Sequence, residues 1–121
     1  MQKEYRIRKN QEISQIISLK KSCGNNFFVI YQKENHDNIH YRYVISVPKK
    51  YGNAVERNKI RRRLKAIMNN EKIINTLDLV IIVKPKASEL EFLGIKNNIR
   101  EMLKKMKVVE EKKWKTKENT Y

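Results

Sequence analysis

The pattern of apolar and polar residues begins with one helical repeat. Ile13, Ile16 and Ile17 recur at the spacing of one helix face, and the residues between them are polar. Asn10 precedes them, and asparagine is among the residues that cap helix N-termini. The pattern therefore predicts a short amphipathic helix over residues 11–20.

Two runs of aromatic and β-branched residues follow. Residues 27–32 and 41–47 are rich in the side chains that favour strands, and a polar turn over residues 34–38 joins them. Pro48 has no backbone N–H to give to a sheet, and Gly52 offers the freedom for a turn. The second strand is therefore expected to end before Pro48.

A second helix is predicted after Gly52. Asn53, followed three residues later by Glu56, resembles a capping box, in which each residue's side chain satisfies the other's backbone N–H. Beyond this pair, four apolar residues recur at helical spacing: Ile60, Leu64, Ile67 and Met68. These signals predict an amphipathic helix from residue 54 to about residue 69.

The last two elements are a buried strand and a helix. Residues 78–84 are almost all apolar, as in strands covered on both faces, and Pro85 ends the run. Strand, helix and strand in this order favour a βαβ crossover. The last helix is predicted from about residue 91 by apolar residues at helical spacing: Phe92, Ile95, Ile99, Met102, Leu103 and Met106.

The length and composition indicate one folded domain. The chain has 121 residues, and Leu, Ile, Val and Phe make up about 27% of them, which is enough for a modest core. We expect the domain to span residues 1–109 and the basic segment 110–121 to be a tail without fixed structure. No apolar stretch reaches membrane-spanning length and no secretory signal is seen, so we expect a cytoplasmic protein without a membrane partner.

The charge balance points to a polyanionic partner. The chain carries 28 Lys and Arg against 13 Asp and Glu, a formal net charge of +15. Nucleic acid is the simplest such partner, and an anionic membrane surface is the weaker alternative. Residues 49–65 hold eight of the basic residues and one acidic residue, so almost half of the net charge lies there.

The basic residues of the second predicted helix fall into columns. At 100° per residue, Arg57, Arg61 and Lys65 form one column, and Asn58 and Arg62 form a second one beside it. Positive charges stacked in this way repel one another. The pattern is explained either by a basic face that is simply solvated or by a polyanion that binds the face. Guanidinium groups match phosphate oxygens in pairs, and the Asn58 amide suits a base edge.

Catalytic and metal-binding patterns are missing from the sequence. His36 and His40 fall in or beside the polar turn, and Cys23 has no recognised nucleophile signature around it. Asp78 leads into the buried strand, where an end-capping role is commoner than a metal ligand. We therefore expect no catalytic residue, no metal ligand and no cofactor on the protein itself.

The first two predicted strands, residues 27–32 and 41–47, each have one face that packs in the core and a second face. Tyr31, Arg42 and Ser46 lie on the second face, where aromatic and hydrogen-bonding groups suit single-stranded RNA. An ordinary half-buried position explains Tyr31 equally well.

Residues 49–62 read Lys-Lys-Tyr-Gly-Asn-Ala-Val-Glu-Arg-Asn-Lys-Ile-Arg-Arg, and this run resembles the signature of the bacterial ribonuclease P protein subunit. Arg8-Lys9-Asn10, Phe28-Val29-Ile30-Tyr31 and Val83-Lys84-Pro85-Lys86-Ala87 also fit that family. The resemblance covers residues 6–106. It implies an α/β sandwich of three helices and about four strands in the order α-β-β-β-α-β-α, with a short extra strand near residues 22–24 and a left-handed crossover.

The resemblance also implies a function. In this family the RNA subunit, with bound Mg²⁺, removes the 5′ leader of precursor tRNA, while the protein binds the catalytic RNA and the leader and lowers the Mg²⁺ requirement. The RNA-binding residues carry over as the basic helix and its lead-in: Lys49, Lys50, Asn53, Arg57, Asn58, Lys59, Arg61, Arg62 and Lys65. The leader-binding cleft carries over as Ile13, Ile17, Val29, Tyr31 and Ser46. The alternative is a basic structural RNA-binding protein, of the kind found with ribosomes, that has no role in cleavage.

Overall fold

A computed structural model describes residues 5–109, and the predicted tail, residues 110–121, lies outside them. The described residues form an α/β sandwich with the predicted order of elements. The helices are α1 (Asn10–Ser18), α2 (Ala54–Asn69) and α3 (Phe92–Met106), and the strands are β1 (Ser22–Gly24), β2 (Phe28–Glu34), β3 (Arg42–Ser46) and β4 (Leu77–Val83). Within this range, no helix is long and apolar enough to cross a membrane.

The four strands form one mixed sheet in the order β1-β2-β4-β3. β4 lies in the centre, antiparallel to β2 and parallel to β3. The parallel neighbours β3 and β4 are joined through α2, which confirms the predicted βαβ unit, while the handedness of the crossover stays a prediction. β1, which the family resemblance alone implied, pairs with β2.

The two faces of the sheet are covered unequally. One face packs against α2 and α3 and forms the main core, with Phe28, Tyr43, Leu79 and Ile81 fully buried. The other face packs against α1 over a much smaller cluster. β4 contributes to both clusters, which explains why its sequence is almost continuously apolar.

Two local predictions need correction. The N-cap of α1 is Lys9, not Asn10, and the helix ends two residues earlier than predicted, before Lys20 adopts a left-handed φ of 56°. Phe92, one of the apolar residues whose spacing predicted α3, lies at the first position of the helix and is 41% exposed, so it does not belong to the buried face.

Candidate nucleic-acid interface

The basic helix α2 begins with the predicted capping box. The Asn53 side chain accepts a hydrogen bond from the Glu56 backbone N–H at 2.9 Å, and the Glu56 carboxylate accepts one from the Asn53 N–H at 3.1 Å. A side-chain carboxylate at this end also suits the helix dipole. The box therefore gives the charged helix a defined first turn.

The two predicted columns differ in exposure. Arg57, Arg61 and Lys65 are half-buried along the flank of the apolar stripe, whereas Asn58 and Arg62 are exposed. The Arg61 Nη1 donates to Asn58 Oδ1 at 3.3 Å, so one hydrogen bond links the columns. The helix thus presents a continuous surface of guanidinium, ammonium and amide groups.

The positive charge of α2 is not neutralised within the described residues. Their four salt-bridge contacts involve His36, Arg42 and Arg100 as cations, and none involves a basic residue of α2. Glu56, the one acidic residue of the segment, already caps Asn53. Like charges stacked one turn apart destabilise a helix by a few tenths of a kcal/mol per pair, and an external anion would relieve that repulsion.

A short basic turn connects β3 to this helix. Lys49 and Lys50 are both exposed within the 3-10 turn Lys49–Tyr51, which follows Pro48. Ser46, the last residue of β3, lies four positions before Lys50. The turn therefore places two exposed ammonium groups within four residues of Ser46, which is a predicted cleft residue.

Strand pairing places the cleft residues of the sheet in register. Val29 and Ser46 both face Ile82 of β4, so the three residues form one row across the sheet. Tyr31 lies in the next row, with Val80 and then Val44. Residues paired across strands present their side chains on the same face, so the sheet residues predicted for the cleft share one surface.

Helix α1 provides the other wall of this cleft. Ile13 and Ile17 pack, together with Tyr31, against a buried cluster formed by Ile7, Ile16 and Val80. The structure thus brings Ile13, Ile17 and Tyr31 together as predicted. We call this arrangement of α1 against the two rows the α1 cleft.

Burial decreases along the α1 cleft. Val80 is fully buried, Val29 and Ile82 are half-buried, and Ser46 is exposed. The cleft is therefore open at the end where β3 leads into the basic turn. Ile82 was not predicted as a cleft residue, and recognising it requires knowing that β4 lies between β2 and β3.

The opposite end of the same face carries an ionic row. Lys33, Asp78 and Arg42 face one another across β2, β4 and β3. Arg42 donates from Nε to Asp78 Oδ1 at 3.1 Å and from Nη2 to Oδ2 at 2.8 Å, and Nη2 also lies 2.6 Å from Glu12 Oε2 on α1. Arg42 was predicted as a hydrogen-bonding group for RNA, but two carboxylates of the protein already bind it.

The Asp78 carboxylate is strongly held. Burial alone would raise its pKa, but hydrogen bonds from Arg42, Asn38 (2.8 Å) and Asn35 (3.2 Å) outweigh burial and bring the pKa below its usual value. The main cause of the raised pKa of Arg42 is its hydrogen bond to Asp78. Both groups are therefore charged at neutral pH and form a fixed ion pair.

The remaining reactive side chains have structural surroundings. The His40 ring stacks on Tyr5 with ring centroids 4.0 Å apart, and Cys23 is half-buried beside the main core. Across residues 5–109, no three metal-ligating side chains converge. The arrangement suits binding of a polyanion that also makes apolar contacts.

Comparisons with known proteins agree with this geometry. A family model described as Ribonuclease P matches residues 1–107. The ribonuclease P protein component of Acholeplasma laidlawii is 42% identical over 112 residues, covering 91% of this chain and 96% of that protein. The corresponding protein of Enterococcus faecalis is 35% identical, with coverages of 91% and 95%.

Solved structures give the same result. The RNase P protein of Staphylococcus aureus superposes with a TM-score of 0.80 at 36% identity, covering 88% of this chain and 98% of that one. The RNase P protein from Thermotoga maritima gives a TM-score of 0.74 at 29% identity, with coverages of 83% and 96%.

Proposed function

The chain belongs to the ribonuclease P protein family, and on that premise we propose that its basic helix binds the catalytic RNA while its α1 cleft binds the 5′ leader of precursor tRNA. Membership makes it a protein component of the endoribonuclease that matures tRNA 5′ ends, associated with the RNA subunit. The assignment of the two surfaces is our proposal, as is a cytoplasmic site of action.

The unneutralised charge of α2 supports RNA-subunit binding. Arg57, Arg61 and Arg62 offer planar donors that match phosphate oxygens in pairs, and Lys59 and Lys65 add point charges. Neutralising phosphates releases condensed counterions, so the affinity should fall as the salt concentration rises. Lys49, Lys50 and Asn53 add polar and positively charged groups to the segment that joins β3 to α2.

The lining of the α1 cleft supports leader binding. Single-stranded RNA is held by apolar and aromatic side chains that contact bases, beside cations that contact phosphates. Ile13, Ile17, Val29 and Tyr31 offer the first kind of contact, and Ser46 offers a hydroxyl at the open end. The observation that carries the proposal is the chain connection between the two surfaces: β3 ends at Ser46 on the sheet side of the cleft, and the basic turn and α2 follow directly. A leader leaving the cleft along β3 would meet the cations of that turn.

The proposal assigns hydrolysis to Mg²⁺ ions bound by the RNA subunit. The residues described do not form a Mg²⁺ site, and the buried Asp78 carboxylate is occupied by four hydrogen bonds. In our proposal the chemical step belongs to the RNA subunit and its bound Mg²⁺. The proposed contribution of the protein is to bind, orient and neutralise RNA, which lowers the Mg²⁺ needed for cleavage.

Reconstitution at low Mg²⁺ tests the proposal. The full chain is added to its cognate RNA subunit, and cleavage of precursor tRNA is followed at Mg²⁺ concentrations where the RNA alone is inactive. We expect cleavage only when both components are present. Cleavage that is indifferent to the protein would contradict the proposal, and so would specific cleavage by the protein alone.

Substrate comparison tests the role of the cleft. With the RNA subunit present, the holoenzyme should bind precursor tRNA more tightly than mature tRNA. Equal affinities would instead favour the alternative of a structural RNA-binding protein without a role in leader recognition.

A further inference from the structure

Helix α1 is weakly attached to the rest of the protein. It has nine residues, one of which, Ile16, is fully buried, and its N-cap makes no side-chain hydrogen bond. Within residues 5–109, the bond between Glu12 and Arg42 is the one polar contact that joins an α1 side chain to the sheet. A helix this short gains little stability on its own, so its position depends on these few contacts.

The sheet side of this contact is rigid. Arg42 is fixed by two hydrogen bonds to Asp78, whose side chain is 3% exposed. Asn35 and Asn38 hold the same carboxylate from the loop between β2 and β3. Arg42 therefore cannot follow a movement of α1, and Glu12 must come to Arg42.

The contact lies where it controls the α1 cleft. Glu12 directly precedes Ile13. Ile17 lies five residues after Glu12, which is about 7.5 Å along the helix axis at 1.5 Å per residue. A small tilt of α1 about its apolar contact at Ile16 would therefore move Ile13, almost one turn away from that contact, relative to Tyr31.

We propose that Glu12 is a positioning residue for leader recognition: its ion pair with Arg42 fixes α1 over the sheet and so sets the width of the α1 cleft for single-stranded RNA. The inference rests on the proposed leader-binding role of the cleft. It assigns Glu12 no direct contact with RNA.

Glu12→Gln tests the inference in the reconstituted holoenzyme. The variant keeps the size of the side chain and removes the charge. We expect its affinity for precursor tRNA to fall by about three- to tenfold, the range of a partly exposed charged hydrogen bond. Affinity for mature tRNA and for the RNA subunit should be unchanged, and hydrogen exchange of the α1 amides should become faster.

Glu101→Gln is the matched control because Glu101 is exposed on α3 and the change in net charge is the same. Glu12→Asp serves as a second variant, since it keeps the charge but shortens the side chain, and it should lose less leader affinity than Glu12→Gln. Equal precursor-to-mature ratios in Glu12→Gln and Glu101→Gln would overturn the inference.

Tyr31→Ala separates failure of the inference from failure of the proposed function. If Tyr31→Ala lowers leader preference and Glu12→Gln does not, the cleft binds the leader but Glu12 does not position it. If neither variant changes leader preference, both the cleft assignment and the inference are wrong.

Discussion

Asn53 and Glu56 cap each other across the first turn of α2, with hydrogen bonds of 2.9 and 3.1 Å. Glu56, the only acidic residue among residues 49–65, is therefore already bonded to the backbone at the N-terminus of α2. This relationship orders the helix without neutralising the arginines that follow it.

Removing the Asn53 side chain should destabilise the protein. Asn53→Ala deletes the acceptor for the Glu56 N–H, and we expect the free energy of unfolding to fall by about 1 kcal/mol, as for other N-cap residues. Urea unfolding of the full chain measures this change. Asn97→Ala, an exposed position on α3, is the control and should be nearly neutral.

Gly52→Ala should act through the same capping box. A Cβ at this position would lie 2.6 Å from Glu56 Oε1, so the carboxylate must move away from the Asn53 N–H, while the φ of 165° is extended and carries no strain. We expect a loss of about 0.5 to 1 kcal/mol. A double-mutant cycle with Glu56→Ala checks the cause, because the two losses should not add. Additive losses would mean that Gly52→Ala does not destabilise the protein through Glu56.

Arg57→Ala should weaken binding to the RNA subunit by about 1 to 3 kcal/mol, if its guanidinium makes a paired contact with phosphate. Titrations at several salt concentrations measure the affinity and its salt slope, which should decrease by about one unit. Lys104→Ala on α3 removes the same charge from an exposed site and should have a smaller effect. An unchanged affinity and slope would mean that Arg57 is only a solvated surface residue.

Tyr31→Ala should reduce the preference for leader-bearing substrate more than the affinity for the RNA subunit. The ring is half-buried beside Ile13 and Ile17, where it would contact the leader. Comparing precursor and mature tRNA measures the preference, and Tyr31→Phe, which keeps the ring, should stay close to the wild type. Equal losses for both partners would indicate that Tyr31 serves only to support the fold.

Asp78→Asn should change how the free energy of unfolding depends on pH in the acidic range. The folded-state pKa of Asp78 lies below the usual value for an aspartate, so its ion pair stabilises the fold above the unfolded-state pKa, and this stability is lost as the pH falls through the folded-state pKa. The variant should lose roughly 2 to 4 kcal/mol near pH 7, since Arg42 then lacks its buried partner but keeps Glu12.

Unfolding measured from pH 3 to pH 7 checks this expectation. The stability of Asp78→Asn should vary less with pH than that of the wild type below about pH 4. Asp37→Asn, at an exposed position in the loop between β2 and β3, should keep the wild-type slope. An Asp78→Asn profile parallel to the wild type would show that Asp78 does not contribute to acid unfolding.

Local signals predicted α2 from Ala54 to Asn69 because a capping box, a periodic apolar stripe and the preceding Gly52 all act within a few residues. The β3 end before Pro48 was equally predictable, since proline cannot donate to a ladder. The start of α1 was misplaced because Lys9 occupies the cap position without a side-chain bond, which leaves no sequence signal.

Contacts between distant residues could not be predicted in the same way. Glu12 and Arg42 are 30 positions apart, and Arg42 and Asp78 are 36 apart. The apolar run of β4 showed that both its faces are covered, but not that it lies between β2 and β3. The α1 cleft was therefore reached through family resemblance, and Ile82 on its floor was missed.

β4, which lies between β2 and β3, is the last strand of residues 5–109 to be synthesised. β2 and β3 are consecutive in the chain, yet they are not neighbours, and each must wait for β4 to complete its hydrogen bonds. The basic helix therefore leaves the ribosome before the sheet that it packs against exists, and pairing across such sequence distances slows folding. A nascent chain halted before Leu77 would thus display the basic helix α2 without the α1 cleft.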